Sequence, residues 1–247
     1  MTAFPRLIAI GGGGFTHALD PALEDFIVAT AGCARPRVGF IGTASEDDPL
    51  KIRRFYDRFA ALSDHLTHLT AGSDASNAAR WADTLDIIYV GGGHTLRLIN
   101  HWRNTGVDQV LMAAARRGVL MAGVSAGASV WFEQALSDAG GQGLRPVTGI
   151  GLVAGSCCPH YDSEPQRPPI YTAAVASAAL PQGVAIDDGV ALLMDGGGQM
   201  TAFSARSGAG AYYVTRSAQS GKAASASIQA QTAFTAGTDR APGRLSK

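Results

Sequence analysis

The sequence has few cysteines, no excess charge of either sign and no long apolar run. Its three cysteines are odd in number and two are adjacent (Cys33, Cys157 and Cys158), which argues against a disulfide framework. Twenty basic and twenty acidic side chains give a formal net charge of zero, without the basic excess of a nucleic-acid-binding surface. No apolar run reaches the roughly 18 residues of a membrane-spanning helix, and the start lacks the apolar core of a signal peptide. We therefore expect a cytoplasmic protein that binds neither nucleic acid nor membrane.

The sequence does contain enough apolar material for one large domain. With 247 residues, of which 46% are hydrophobic, the chain is long enough to bury a core without disulfides. The segment after Ser217 is rich in Ala, Ser, Gly, Gln and Thr, with one possible last strand at Ser227 to Phe234. We predict a single domain over residues 1–234 and a disordered tail over residues 235–247.

Short apolar strands alternate with helix-like segments over the first three quarters of the chain, and glycines follow several strands. This alternation predicts an α/β fold with a mostly parallel sheet flanked by helices. In such sheets the ligand site lies beyond the carboxyl ends of the strands. The segment from Ala126 to Leu136 is predicted to be helical. Three later β-rich segments predict antiparallel strands on one edge of the sheet: Val184–Leu193, Met200–Ser204 and Gly210–Thr215.

The strongest chemical motif is Gly123-Val124-Ser125-Ala126-Gly127, which lies between an apolar strand and a helix. A serine at such a sharp strand-to-helix turn projects its hydroxyl into the cleft, and the flanking glycines relieve the crowding around it. A hydroxyl needs a base to become a nucleophile. His160 follows the apolar run Ile150–Val153 and is predicted to supply that base, with His94 as the alternative.

A third group should orient the imidazole of the base. Asp138 is favoured because it lies where the helix after Ser125 is predicted to end, and Glu133 and Asp162 stay open. Acyl transfer also requires donors for the oxyanion. The predicted donors are the N–H groups of Ala126 and of Gly92 or Gly93, and the alternative is that these glycines only form a tight turn.

Four motifs in order resemble the peptidase E family of serine peptidases, over about Leu7 to Met194: Val90–Thr95, Gly123–Ala128, Trp131–Glu133 and Cys158–Asp162. The resemblance implies a flavodoxin-like, glutamine-amidotransferase-like fold. It also implies Ser125 as nucleophile and His160 as base, with a third acid that matches Asp138 loosely. These enzymes cleave dipeptides with N-terminal Asp and hold its carboxylate with a basic side chain. Arg167, in a loop with Glu164, resembles that residue.

Other functions fit the sequence less well. Gly11–Gly14 departs from the dinucleotide-binding pattern, and the cysteines lack the spacing of zinc ligands. A cyanophycinase-like enzyme acting on β-linked Asp-Arg material would need acidic groups, which Glu46, Asp47 and Asp48 offer. A non-catalytic binding module would keep the elbow only as a turn. The prediction is a serine exopeptidase that needs no metal or organic cofactor and acts on small peptides, with a homodimer left open.

Overall fold

The computed structural model describes residues 5–138, 141, 143–216 and 222–229. The strands are β1 (Leu7–Ile10), β2 (Val38–Ile41), β3 (Leu66–Leu69), β4 (Ile87–Val90), β5 (Leu120–Val124), β6 (Phe132–Ser137), β7 (Arg145–Thr148), β8 (Val153–Cys158), β9 (Gly183–Ile186), β10 (Val190–Met194), β11 (Met200–Ser204), β12 (Ala211–Arg216) and β13 (Ala223–Ser227). The helices are α1 (Ala22–Thr30), α2 (Pro49–Phe59), α3 (Ala75–Ala82), α4 (Thr95–Thr105), α5 (Val107–Arg116), α6 (Ala126–Ser129) and α7 (Arg167–Ala176). Short 3-10 helices lie at Phe15–His17 and Thr43–Ser45.

The first sheet has seven strands in the order β11-β10-β1-β5-β4-β2-β3. Its five central and distal strands are parallel, whereas β10 and β11 form an antiparallel edge. The predicted fold class is therefore confirmed. Strands β1, β2, β4 and β5 are buried along their whole length, as expected for parallel strands with both faces covered.

Side chains alternate between two cores on either side of this sheet. Along β1, Ile8 and Ile10 pack with α1 and α2, while Leu7 and Ala9 pack with α3, α4 and α5. The first core is unusually aromatic, with rings at about van der Waals contact around Phe15. Parallel pairing places the carboxyl ends of β1, β2, β4 and β5 at the same edge of this sheet.

A second sheet of six strands, which the sequence did not predict, has the order β13-β12-β9-β8-β6-β7. One face of it joins the core under α4 and α5, and α7 covers the other face. Helix α6 ends at Ser129, so the predicted helix from Ala126 to Leu136 is wrong. Phe132, Ala135 and Leu136 are buried in β6, between β7 and β8, because pairing within a sheet outweighs the local helix preference.

The predicted strand over Val184–Leu193 is also divided. Residues 187–189 break it into β9 of the second sheet and β10 of the first. The segment predicted at Gly210–Thr215 forms β12 in the second sheet. A last strand does pair with it, but as β13, and residues 230–234 of the predicted strand lie outside the described residues, as does the predicted tail. Across the part of the chain that the structure describes, no helix is long and apolar enough to span a membrane.

Candidate active site

Ser125 lies at the sharp turn between β5 and α6, beyond the carboxyl end of a central strand. Its backbone has φ 57° and ψ −114°, a conformation that costs energy in a residue with a side chain. Glycine is required on both sides of it. A Cβ on Gly123 would lie 2.1 Å from the carbonyl oxygen of Gly127, and one on Gly127 would lie 2.1 Å from that of Val90. The motif therefore forms the sharp strand-to-helix turn that the sequence predicts, and the nucleophilic role of Ser125 stays a prediction.

His160 reaches this serine from the second sheet. It follows the buried end of β8 and also has a left-handed backbone, with φ 55°. Its Nε2 lies 2.8 Å from the hydroxyl oxygen of Ser125. This distance is that of a hydrogen bond, so the imidazole is placed to accept the serine proton.

The acid beside this imidazole is Asp188, a residue that the sequence did not single out. Its Oδ1 lies 2.7 Å from Nδ1 of His160. Asp188 lies in the turn between β9 and β10, within the segment where the sequence predicted one continuous strand. The only signal for it was the Asp187-Asp188-Gly189 turn between two apolar runs.

The three acids proposed from the sequence lie elsewhere. Asp138, the favoured one, is exposed directly after β6, so the expectation that it orients His160 is corrected to Asp188. Glu133 accepts a hydrogen bond from the Gly155 N–H. Asp162 accepts one from the backbone N–H of Asp188 at 2.8 Å and therefore supports the orienting acid.

The surroundings of Asp188 favour its charged form. Burial alone would raise the pKa of this carboxyl group. The hydrogen bond and charge of His160 outweigh burial, helped by a hydrogen bond from Ser163 and the charge of Arg206, so the pKa of Asp188 lies below its ordinary value. A charged acid fixes the imidazole with its proton on Nδ1 and leaves Nε2 free to accept one.

Gly12, in the turn after β1, makes room for this pair. A Cβ on Gly12 would lie 2.1 Å from Oδ1 of Asp188 and 2.7 Å from Nδ1 of His160. The Gly12 carbonyl also accepts a hydrogen bond from the Gly189 N–H at 2.9 Å. The first glycine run is thus part of the site.

Two of the residues predicted to supply oxyanion donors, Gly92 and Ala126, lie next to the serine. A Cβ on Gly92 would lie 3.2 Å from Cβ of Ser125, and Ala126 follows the serine in the chain. Ala126 begins α6, where backbone N–H groups have no partner within the helix. Among the described residues, no backbone carbonyl accepts a hydrogen bond from the N–H of Gly92 or Gly93. These groups are available to a developing negative charge, and their role in catalysis stays a prediction.

Arg167 and Glu164 form a pair with each other. The Arg167 side chain is 5% exposed, with its Nε 2.7 Å from Oε2 of Glu164 and one terminal nitrogen 3.1 Å from the Leu136 carbonyl. These contacts link the start of α7 to β6. Two nitrogens of the guanidinium are thereby engaged within the protein, and a side chain that is 5% exposed offers little surface to a substrate carboxylate.

The acidic loop before α2 is likewise engaged. Glu46 pairs with Arg97 at 2.8 Å, Asp47 accepts a hydrogen bond from the Ala71 N–H, and Asp48 caps α2. A site for a substrate guanidinium would have to compete with these contacts. The Glu46 carboxylate is nevertheless 69% exposed, so the cyanophycinase-like alternative stays a prediction.

The two adjacent cysteines lie within the protein. Cys157 and Cys158 are fully buried, and burial raises the pKa of the Cys158 thiol to about 12. A thiol in that environment is a poor nucleophile, so both are packing residues. Within the described residues, no group of three or more His, Cys, Asp or Glu side chains is arranged to hold a metal ion.

The fold and these side chains define an α/β protein with the arrangement of a hydrolase site. The chain belongs to peptidase family S51, whose family model matches residues 7–201, and it is therefore a peptidase. This finding confirms the resemblance to the peptidase E family.

Individual proteins support the same assignment. The chain is 39% identical over 211 residues to a Bacillus subtilis protein named Uncharacterized peptidase YgaJ, covering 85% of this chain and 91% of that one. It is 28% identical over 158 residues to Peptidase E of Streptomyces coelicolor, covering 63% and 61% of the two chains. The crystal structure of a peptidase from an acI-B1 Actinobacterium has the same fold, with a TM-score of 0.69 over 95% of this chain and 98% of that one at 17% identity.

Proposed function

We propose that this peptidase uses a serine mechanism, in which Ser125 is the nucleophile, His160 the base and Asp188 the orienting acid. The observation that carries the proposal is the unbroken chain of hydrogen bonds from the Ser125 hydroxyl through the imidazole to the Asp188 carboxylate. The same three roles recur on unrelated folds, and geometry rather than chain order identifies them.

The chemistry follows from these positions. Ser125 Oγ attacks the scissile carbonyl carbon while its proton passes to Nε2 of His160. The negative charge on the carbonyl oxygen is stabilised by the N–H groups of Ala126 and of Gly92 or Gly93. The C–N bond then breaks, and the imidazolium gives its proton to the leaving amine. Water attacks the acyl-enzyme with His160 again as base, and the acid product leaves a regenerated serine.

We further propose that the substrates are short peptides, with N-terminal Asp dipeptides the first to test. The support is membership of family S51 and similarity to a protein named Peptidase E. Arg167 does not support this specificity, because its guanidinium is buried against Glu164. We therefore propose that another group recognises an Asp side chain.

Hydrolysis of Asp-Leu, Leu-Leu and β-Asp-Arg by the wild type and by Ser125→Ala tests both parts. Cleavage that disappears in the variant supports the serine mechanism, and preference for Asp-Leu supports the proposed specificity. Cleavage of β-Asp-Arg alone would favour the cyanophycinase-like alternative. If Ser125→Ala retains wild-type activity on any of these peptides, the mechanism is refuted.

A further inference from the structure

Lys51, in the first turn of α2, directs its ammonium group at the backbone next to the catalytic serine. Its Nζ donates a hydrogen bond of 3.1 Å to the carbonyl oxygen of Gly92. The side chain is half-buried, and burial lowers the pKa of Lys51, with Asp48 opposing and Arg54 reinforcing that effect. Among the described residues, no carboxylate lies within ion-pair distance of this ammonium. The recorded hydrogen-bond partner of this ammonium group, among the described residues, is therefore the Gly92 carbonyl.

The peptide between Gly92 and Gly93 has hydrogen-bonded neighbours on both sides, and among the described residues its own recorded partner is Lys51. On one side the Gly91 N–H donates to the Ile41 carbonyl at 2.9 Å, and on the other the His94 N–H donates to the Ala44 carbonyl at 2.8 Å. Because neither residue carries a Cβ, the backbone dihedral angles of a glycine pair permit two orientations of this peptide plane, with the carbonyl and the N–H exchanged.

The orientation of this peptide determines whether its N–H or its carbonyl oxygen faces the position of the oxyanion. The peptide bond is trans, so the Gly92 carbonyl and the Gly93 N–H point in opposite directions. With the carbonyl held by Lys51, the N–H faces away from the lysine. After a rotation of the peptide, a carbonyl oxygen would take the place of that N–H and would repel an oxyanion.

We propose that Lys51 is a positioning residue for the oxyanion site, which holds the Gly92–Gly93 peptide with its N–H available to the intermediate formed on Ser125. The inference rests on the proposed serine mechanism. The cation also polarises the peptide, because a hydrogen bond accepted by the carbonyl strengthens the N–H of the same unit as a donor. Lys51 itself touches neither the substrate nor the reacting atoms in this role.

Three variants separate this role from a general effect of charge. Lys51→Met removes the donor and the charge at nearly constant length, whereas Lys51→Arg keeps both. Arg53→Met removes a cation from an exposed position on the same helix and is the matched control. Thermal melting of each variant shows whether the fold is retained.

Reaction of Ser125 with a fluorophosphonate probe measures the site without knowledge of the peptide substrate, since the phosphoryl oxygen occupies the oxyanion position. We expect Lys51→Met to lower the rate constant of labelling by roughly 10- to 100-fold, somewhat less than complete loss of one oxyanion donor. Lys51→Arg should restore most of that rate, and Arg53→Met should match the wild type. With a cleaved peptide, the loss should appear in kcat and not in KM.

A crystal structure of Lys51→Met provides a readout that does not depend on activity. We expect the Gly92–Gly93 peptide to be rotated or to occupy two orientations. If its orientation is unchanged, or if labelling is within twofold of the wild type, the proposal is overturned. A loss expressed in KM alone would overturn it in favour of a substrate-binding lysine. A different result is also informative. If the Gly92–Gly93 unit is rotated in Lys51→Met, but the wild type reacts with neither the probe nor any peptide substrate, then Lys51 does orient this unit and the serine mechanism is refuted.

Discussion

Replacement of Asp188 by Asn should reduce catalysis by roughly a thousandfold while leaving the fold intact. In the transition state His160 carries a positive charge 2.7 Å from the Asp188 carboxylate, and both side chains are less than one-fifth exposed. Unit charges at about 4 Å and an effective dielectric constant of about 20 attract by about 4 kcal/mol, which corresponds to about three powers of ten in rate. Asparagine loses this attraction and also donates an N–H to Nδ1, which favours the wrong tautomer.

The assay is kcat/KM for the best-cleaved peptide, together with the rate of fluorophosphonate labelling of Ser125. Asp138→Asn is the matched control, because it makes the same chemical change at the exposed acid that the sequence favoured, and it should behave as the wild type. Retention of more than a tenth of wild-type kcat/KM by Asp188→Asn, or an equal loss in Asp138→Asn, would refute the assignment.

Three further predictions concern other parts of the molecule. Gly12→Ala should abolish labelling of the serine in a folded protein, since its methyl group would lie 2.1 Å from the orienting carboxylate, and normal labelling would contradict the described geometry. Burial raises the pKa of the fully buried Glu24 to about 7, so the folded state binds a proton that the unfolded state releases above about pH 4.5. Denaturant unfolding at pH 5 and pH 8 should therefore show that this group lowers the free energy of unfolding by about 2 to 3 kcal/mol between these two pH values, and Glu24→Gln should lack that part of the slope. A chromogenic disulfide should titrate one thiol in the native protein, the exposed Cys33, and all three after denaturation; prompt native reaction of Cys157 or Cys158 would show that they are accessible.

The first sheet could be predicted because its signals are local. Strands β1, β2, β4 and β5 are short, fully buried apolar runs, each followed by glycine or serine. The elbow at Ser125 could be predicted for the same reason. Its two glycines are required by contacts within a few residues of the serine or with the adjacent strand β4.

The second sheet could not be predicted because its decisive contacts are distant in sequence. Phe132 to Ser137 has no strict alternation of apolar and polar residues, and it follows a genuine helical turn. What makes it a strand is pairing with β8, which lies some twenty residues later, and with β7. A local pattern carries no information about such partners, so the predicted helix continues past Ser129, where α6 ends.

Asp188 could not be predicted as the orienting acid because the second sheet could not be predicted. Ser125 follows β5 of the first sheet, His160 follows β8 of the second, and Asp188 lies where the chain crosses from β9 in the second sheet to β10 in the first. In a one-sheet arrangement the segment around Asp188 is an uninterrupted edge strand, remote from the base, and an acid near the end of the nucleophile's helix is the reasonable choice. With two sheets, the crossover passes directly beside the imidazole. The hydrogen-bond chain therefore joins the two sheets, and its geometry depends on their relative position as much as on the residues themselves.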